Sequence, residues 1–128
     1  MIRAYFDSSA IFKLAKVEAE SRALIDYLEA ESVEVSTSIL AEVEVIRNLR
    51  LHGFETDDAL AGFYLLTPDE DVRRTAIALA NSKVKALDSI HIATALAIGD
   101  RDLHFITYDD LQAEAARQAG LKVLQPGR

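Results

Sequence analysis

The sequence predicts an α/β fold, a three-layer α/β/α sandwich with a mainly parallel central sheet. Three observations carry this. Short β-prone runs alternate with helical stretches along the whole chain, the pattern of strands joined by crossover helices. The first run, Ile2 to Phe6, is mostly apolar, as a strand covered on both faces is. Leu87 to Gly99 is apolar nearly all round, and such a helix is buried on most sides.

Taken in order, Ile2 to Phe6 is the first strand. Asp7-Ser8-Ser9 is a helix-start signal, and Ala10 to Lys16 continues as helix. Glu18 to Glu31 is a second helix with Leu24, Ile25 and Leu28 as its inward stripe, and Val33 to Thr37 a second strand. Ser38 is an N-cap for a long helix to about His52. At about 100° per residue, Ile39, Val43, Ile46 and Leu49 share one side of it. Glu42 then lies on the apolar side. Glu44 points nearly opposite, as a solvated charge able to pair with Arg47. Thr56-Asp57-Asp58 starts a short helix. Phe63 to Leu66 reads equally as a strand or a helix end. Thr67, Pro68 and Glu70 form an N-cap, N1 and capping-box signal for a helix to about Asn81. Asn81 to Lys85 is a polar connector into Leu87–Gly99. Leu103 to Tyr108 is a strand, Asp109 starts the last helix, Gly120 ends it, and Lys122 to Leu124 is a final strand before a frayed Pro126-Gly127-Arg128 tail.

A chain of 128 residues fits one domain over 1–128. With 50% hydrophobic residues it is not a disordered segment. The absence of cysteine excludes disulfides and thiolate metal sites, and fits a reducing cytoplasm. No apolar run approaches the roughly 20 residues of a membrane span, and the opening residues read as a strand, not a signal peptide. A net charge of −7 argues against a broad basic surface for nucleic acid. It leaves room for a small basic rim and favours basic protein partners.

Four acids carry the chemistry. Asp7 and Asp109 end strands, Glu42 lies one turn after the second strand, and Asp88 opens the buried helix. In a parallel sheet the carboxyl ends of the strands share one edge, where ligands bind. An ionised carboxylate taken out of water is costly unless paired, so Asp88 either caps its helix or faces a cation, and the other three acids favour the cation. Carboxylates with water suit Mg²⁺ or Mn²⁺. Such a cluster supports phosphodiester hydrolysis by activated water. Each acid taken singly is equally readable as a helix cap.

Four segments resemble the PIN-domain family, most closely its VapC-like toxin ribonucleases: Y-F-D-S-S-A at 5–10, S-I-L-A-E-V-E at 38–44, A-L-D-S-I-H-I-A-T-A-L at 86–96 and F-I-T-Y-D-D-L at 105–111. The resemblance spans almost the whole chain. It implies that Asp7, Glu42, Asp88 and Asp109 bind Mg²⁺ or Mn²⁺ and activate water for RNA cleavage, with hydrogen-bonding support from Ser9 and Thr107. Those two have plainer readings as a helix cap and a strand residue. Asp110 competes with Asp109 for the last acid position; the T-x-D spacing from Thr107 favours Asp109. The resemblance further implies a toxin of a type II toxin–antitoxin pair, a homodimer, and a VapB-like antitoxin whose C-terminal segment occupies the acidic groove.

His91, one turn after Asp88, is expected to be a packed or hydrogen-bonded core histidine. Lys13 and Lys16 share a face, as do Arg47 and Arg50; these are solvated pairs, with Arg50 the best candidate for an RNA phosphate. Two rivals remain from other classes. A phospho-receiver signalling domain wants a lysine after a late strand, where this chain has Tyr108-Asp109. A catalytically silent PIN-type RNA-binding module sits poorly with a full set of acids.

Overall fold

The computed structural model describes residues 1–79 and 83–128. Five strands form one all-parallel sheet in the order β3-β2-β1-β4-β5. In chain order the elements are β1 (Ile2–Phe6), α1 (Ser8–Ala15), α2 (Ser21–Ala30), β2 (Val33–Ser38), α3 (Ile39–Leu51), β3 (Tyr64–Leu66), α4 (Glu70–Ala78), α5 (Ala86–Ala97), β4 (His104–Ile106), α6 (Asp110–Gln118) and β5 (Lys122–Leu124). Successive strand residues point to opposite faces. Ala4, Phe6 and Ile106 pack with Ala10, Ile11, Leu24, Ala41, Val45 and Leu49 of α1, α2 and α3. Tyr5 and Phe105 pack on the other face with Ile92 and Ala95 of α5 and Ala115 and Ala116 of α6. The sandwich is therefore three-layered, as the alternating pattern predicts.

The topology fixes where a ligand can bind. β1 is central and pairs with both β2 and β4. The chain runs outward from β1 through β2 to β3, then returns to lay β4 and β5 on the other side. The strand order reverses between β1 and β4, and a crevice opens there at their carboxyl ends. Asp7 follows β1, and Thr107-Tyr108-Asp109 follows β4. The Asp7 N–H donates to the Ile106 carbonyl (3.2 Å), so the two ends are stitched side by side.

Several local expectations are corrected. Residues 57–62 form successive turns rather than a helix: the Ala59, Ala61 and Phe63 N–H groups donate three residues back to the Thr56, Asp58 and Leu60 carbonyls (3.2, 3.2 and 3.1 Å). Tyr64–Leu66 is a strand. The N-cap of α4 is Asp69, not Thr67: its carboxylate accepts from the Val72 N–H (2.9 Å). Aspartate out-competes threonine at this position, and Glu70 and Asp71 then sit in the first turn, favoured by the helix dipole. That helix is last assigned at Ala78; the expected end at Asn81 lies outside the described residues, as does the start of the connector. Among the described residues no helix is long and apolar enough to cross a membrane.

The C-terminal segment is pinned rather than frayed. The Tyr108 hydroxyl donates to the Pro126 carbonyl (2.8 Å), and Arg128 donates to the Tyr108 carbonyl (2.8 Å) and to Asp110 (3.0 Å). Arg128 also meets Glu20 (3.0 Å), which Lys13 holds from the other side (2.8 Å). Gly127, at φ +92°, brings the backbone close to α2; a Cβ there would stand 3.0 Å from the Ala23 Cβ. The hydrogen bonds from Lys13, then Arg128, hold the Glu20 carboxyl down from its ordinary 4.5 to about 2. A carboxyl depressed on folding contributes stability above its unfolded pKa and loses it as pH falls through the folded one. The stability gap between the wild type and Glu20→Gln should therefore be full at neutral pH and close between about pH 4.5 and pH 2, measured by urea unfolding over that range.

Candidate active site

Asp7 is the most constrained acid in the protein. It leaves the centre of the sheet as the N-cap of α1, and only 3% of it is exposed. Its Oδ1 accepts from the Ala10 N–H (3.0 Å) and the Ser9 hydroxyl (2.6 Å). Its Oδ2 accepts from the Thr107 hydroxyl and from the Gln112 amide (3.2 Å). All four donors are neutral. Burial pushes the Asp7 carboxyl above its ordinary range; the bonds from Ser9, Thr107 and Ala10 and the nearby His91 pull the other way. The cap reading of Asp7 thus holds, and the same carboxylate also joins α1 to the end of β4.

Ser9 and Thr107 join the two strand ends. Ser9 accepts the Tyr108 N–H (2.9 Å) and lies 3.3 Å from the Thr107 hydroxyl, which accepts the Asp109 N–H (3.1 Å). Thr107→Val keeps the shape but leaves a buried carboxylate oxygen and the Asp109 N–H each short of a partner. It should lower the unfolding free energy by about 1–3 kcal/mol, as read from urea melts.

Asp109 is the N-cap of α6, accepting from the Gln112 N–H (3.1 Å). The Gln112 side chain does not cap the helix in return but turns inward to Asp7. Asp110 is exposed and held by Arg128 and Gln125. Asp88 stands in the first turn of α5, whose N-cap Lys85 supplies no side-chain cap. Burial raises the Asp88 carboxyl, with Asp109 the next cause; His91 and the Lys85 backbone N–H oppose this, and Glu44 adds to it. Asp88 therefore lies within electrostatic reach of both Asp109 and Glu44.

The phase expected for α3 is corrected. Its buried stripe is Ala41, Val45 and Leu49, while Val43 is 54% exposed. Glu42, expected on the inward side, instead lines a shallow groove with Val43, Ile46, Arg47, Arg50 and Asp57. Arg50, expected near the apolar side, is exposed at the same groove. Glu44 is the glutamate that reaches the acids. It pairs not with Arg47 but with Ser8, whose hydroxyl donates to its Oε1 (2.6 Å), and with His91, whose Nε2 lies 3.2 Å from the same oxygen. Those two donors hold the Glu44 carboxyl below its ordinary range against its partial burial. Apolar residues lie on nearly every side of α3, and counting only large ones hides the stripe that Ala41 begins.

Three further residues of the site carried no sequence signal as site residues: Ser8, Tyr5 and Gln112. The Tyr5 hydroxyl lies 2.6 Å from His91 Nδ1. The Gln112 Oε1 is buried without a partner. Among the described residues no three His, Asp or Glu side chains stand close enough, as placed, to enclose one ion. The acids are linked without closing into a cage: Thr107 joins Asp7 to the Asp109 backbone, and Asp88 feels the charges of Asp109 and Glu44. This acidic mouth at the sheet edge offers only oxygen donors, which suit a hard divalent cation. A larger apolar groove of about 770 Å³ between α4 and α5, lined by Val72, Ile77, Leu79 and Ile90, contains none of these acids.

Comparison with known proteins agrees with this fold. The sequence profile of the PIN domain matches residues 4–118. Ribonuclease VapC46 of Mycobacterium tuberculosis is 41% identical over 130 residues, spanning 98% of this chain and 99% of that protein. A chain of the toxin–antitoxin complex from Klebsiella pneumoniae superposes with a TM-score of 0.68 at 27% identity, covering 83% of this chain and 86% of that one. Mycobacterium tuberculosis VapC20, a sarcin–ricin loop cleaving toxin, gives a TM-score of 0.70 at 15% identity over 96% of this chain and 99% of its own, a likeness of fold alone.

Proposed function

The chain belongs to the PIN-domain family, and from that premise we propose that it is a divalent-metal-dependent endoribonuclease, the toxin of a type II toxin–antitoxin pair. The observation that carries this is the buried Asp7 carboxylate, held by neutral donors alone at the switch point between β1 and β4 and tied through Thr107 to the backbone of Asp109. Asp7, Glu44, Asp88 and Asp109 are the residues that would hold the cation, Mg²⁺ or Mn²⁺. Glu44 takes the place expected of Glu42 because it is the glutamate bonded to Ser8 and His91. A bound divalent ion supplies phosphoryl polarisation and a water of lowered pKa for in-line attack.

The chain's own groups do the positioning. Ser9 and Thr107 lock the Asp7 carboxylate and tie it to the backbone that presents Asp109. Asp88 and Asp109 present like charges to the same mouth, which disfavours a bare phosphate there and favours a cation. Residues 1–128 form a single PIN-type domain that acts in the cytoplasm as a homodimer. The antitoxin partner is VapB-like, and its inserted arginine or lysine is matched by the acidic mouth and the net charge of −7. Cleavage of structured and single-stranded RNA panels should stop in EDTA and return with Mg²⁺ or Mn²⁺. Activity indifferent to EDTA overturns the metal-dependent reading.

A further inference from the structure

We propose that Tyr5 and His91 form a buried positioning pair that fixes the Glu44 carboxylate, engaging its Oε1 so that Oε2 stays free for a divalent cation. This rests on the reading of Glu44 as a member of the acid site, and the experiment below separates the two.

The pair is an unusual filling for a core. Tyr5 is fully buried and His91 is 2% exposed. Polar groups there are costly unless hydrogen-bonded, and an apolar residue at position 91 would fill the space equally. The Tyr5 ring is held by near-parallel stacking on Phe105 (5.6 Å, 10°) and meets His91 edge-on (5.8 Å, 62°). Nε2 faces a carboxylate, which can only accept, so the imidazole carries its proton there, and Nδ1 accepts from the Tyr5 hydroxyl 2.6 Å away. That N–H faces Glu44 Oε1 at 3.2 Å, the oxygen that also takes the Ser8 hydroxyl at 2.6 Å. Both donors sit on Oε1, so neither occupies Oε2. Tyr5 lies two residues before Asp7 on the central strand, and His91 lies one turn after Asp88 on α5. The pair thus ties Glu44, on α3, to the same two elements that carry Asp7 and Asp88. Groups that orient a metal-binding carboxylate are worth about 10–100-fold in affinity or activity.

The test is Mn²⁺ titration by calorimetry on the full chain, beside ¹⁵N NMR of the His91 ring and an unfolding curve for each variant. The expected result is an Nε2–H tautomer in the wild type and Mn²⁺ binding weakened about 10–100-fold in His91→Leu. His91→Gln, whose amide can accept from Tyr5 and donate to Glu44, should stay close to the wild type. Should His91→Leu fail to fold, Tyr5→Phe decides alone, and weaker Mn²⁺ binding is expected there too. An Nδ1–H tautomer, unchanged binding in His91→Leu or Tyr5→Phe, or a glutamine variant as weak as the leucine one overturns the proposal. If Glu44→Gln binds Mn²⁺ as tightly as the wild type, the assignment of Glu44 itself fails and the pair's role goes with it.

Discussion

Glu44→Gln should lose RNA cleavage by at least about 100-fold, since residues that merely orient a metal ligand already cost 10–100-fold, while Glu42→Gln should cleave at the wild-type rate. The two glutamates are two residues apart on one helix, about 200° around its axis. Only Glu44 meets the network that contains Asp88 and His91. Glu42 stands at a groove with Arg47 and Arg50, where removing its charge leaves the acid mouth untouched. Glutamine at position 44 keeps the length and can still accept from Ser8 and His91 through its carbonyl oxygen. It replaces the second oxygen with an N–H₂ that repels a cation. Because the folded Glu44 carboxyl is held below its ordinary range, the variant should unfold slightly more easily at pH 7 but remain folded under the assay, so the loss of cleavage is not a loss of fold. Equal activity in both variants, measured as initial rates on one RNA substrate, counts against the site; loss in Glu42→Gln alone restores the original phase of α3.

This contrast marks where the sequence was legible and where it was not. The alternation of strand and helix needed no contact information where a short β-prone run stands between helix signals, as at β1 and β2; β3, only three residues long, was not separable from a helix end. Asp7 and Asp109 were placed by connectivity, since any acid that follows a parallel strand lies at the carboxyl edge. Ser38 capped α3 as expected, its hydroxyl oxygen accepting from the Leu40 N–H (3.1 Å). The rotation of α3 was hidden for a physical reason. Ile39, Val43 and Ile46 are larger than Ala41, yet it is Ala41 that is fully buried in the core with Ala10, Ile11 and Leu24. Burial of small residues contributes little area, so a phase weighted by size points to the wrong side. Gln112 was hidden because its helical position suggested a local cap, whereas its partner, Asp7, is 105 positions away in the chain. Arg128 was misread likewise: a terminal Pro-Gly-Arg carries no local sign of the Glu20, Tyr108 and Asp110 groups waiting for it.

Asp7→Asn should abolish cleavage, by at least about 100-fold on the same reasoning, and yet make the protein harder to unfold. Asparagine has the shape of aspartate and no charge. Its oxygen can keep the Ser9 hydroxyl and Ala10 N–H, and its new N–H₂ would face Thr107 and Gln112. Thr107 can turn its hydroxyl to accept, and Gln112 can turn its amide to offer the Oε1 that otherwise has no partner. The sign follows from linkage. Burial raises the Asp7 carboxyl on folding, so its contribution is favourable below the unfolded pKa, about 3.8, and is lost as pH rises through the folded value. At neutral pH the wild type carries the cost of a buried charge with no cationic partner, and the variant does not. A gain of about 0.5–2 kcal/mol is expected at pH 7, the usual size when an active-site compromise is relieved, shrinking as the pH approaches 4. The urea unfolding that checks it must be done in EDTA, because a cation bound to the folded wild type stabilises it by mass action. Added Mn²⁺ should then raise the wild-type midpoint and leave the variant's where it was. An asparagine variant less stable than the wild type in EDTA at pH 7 would mean that the four neutral donors already offset the buried charge. Asp7 would then be a structural cap, with no need of a cation.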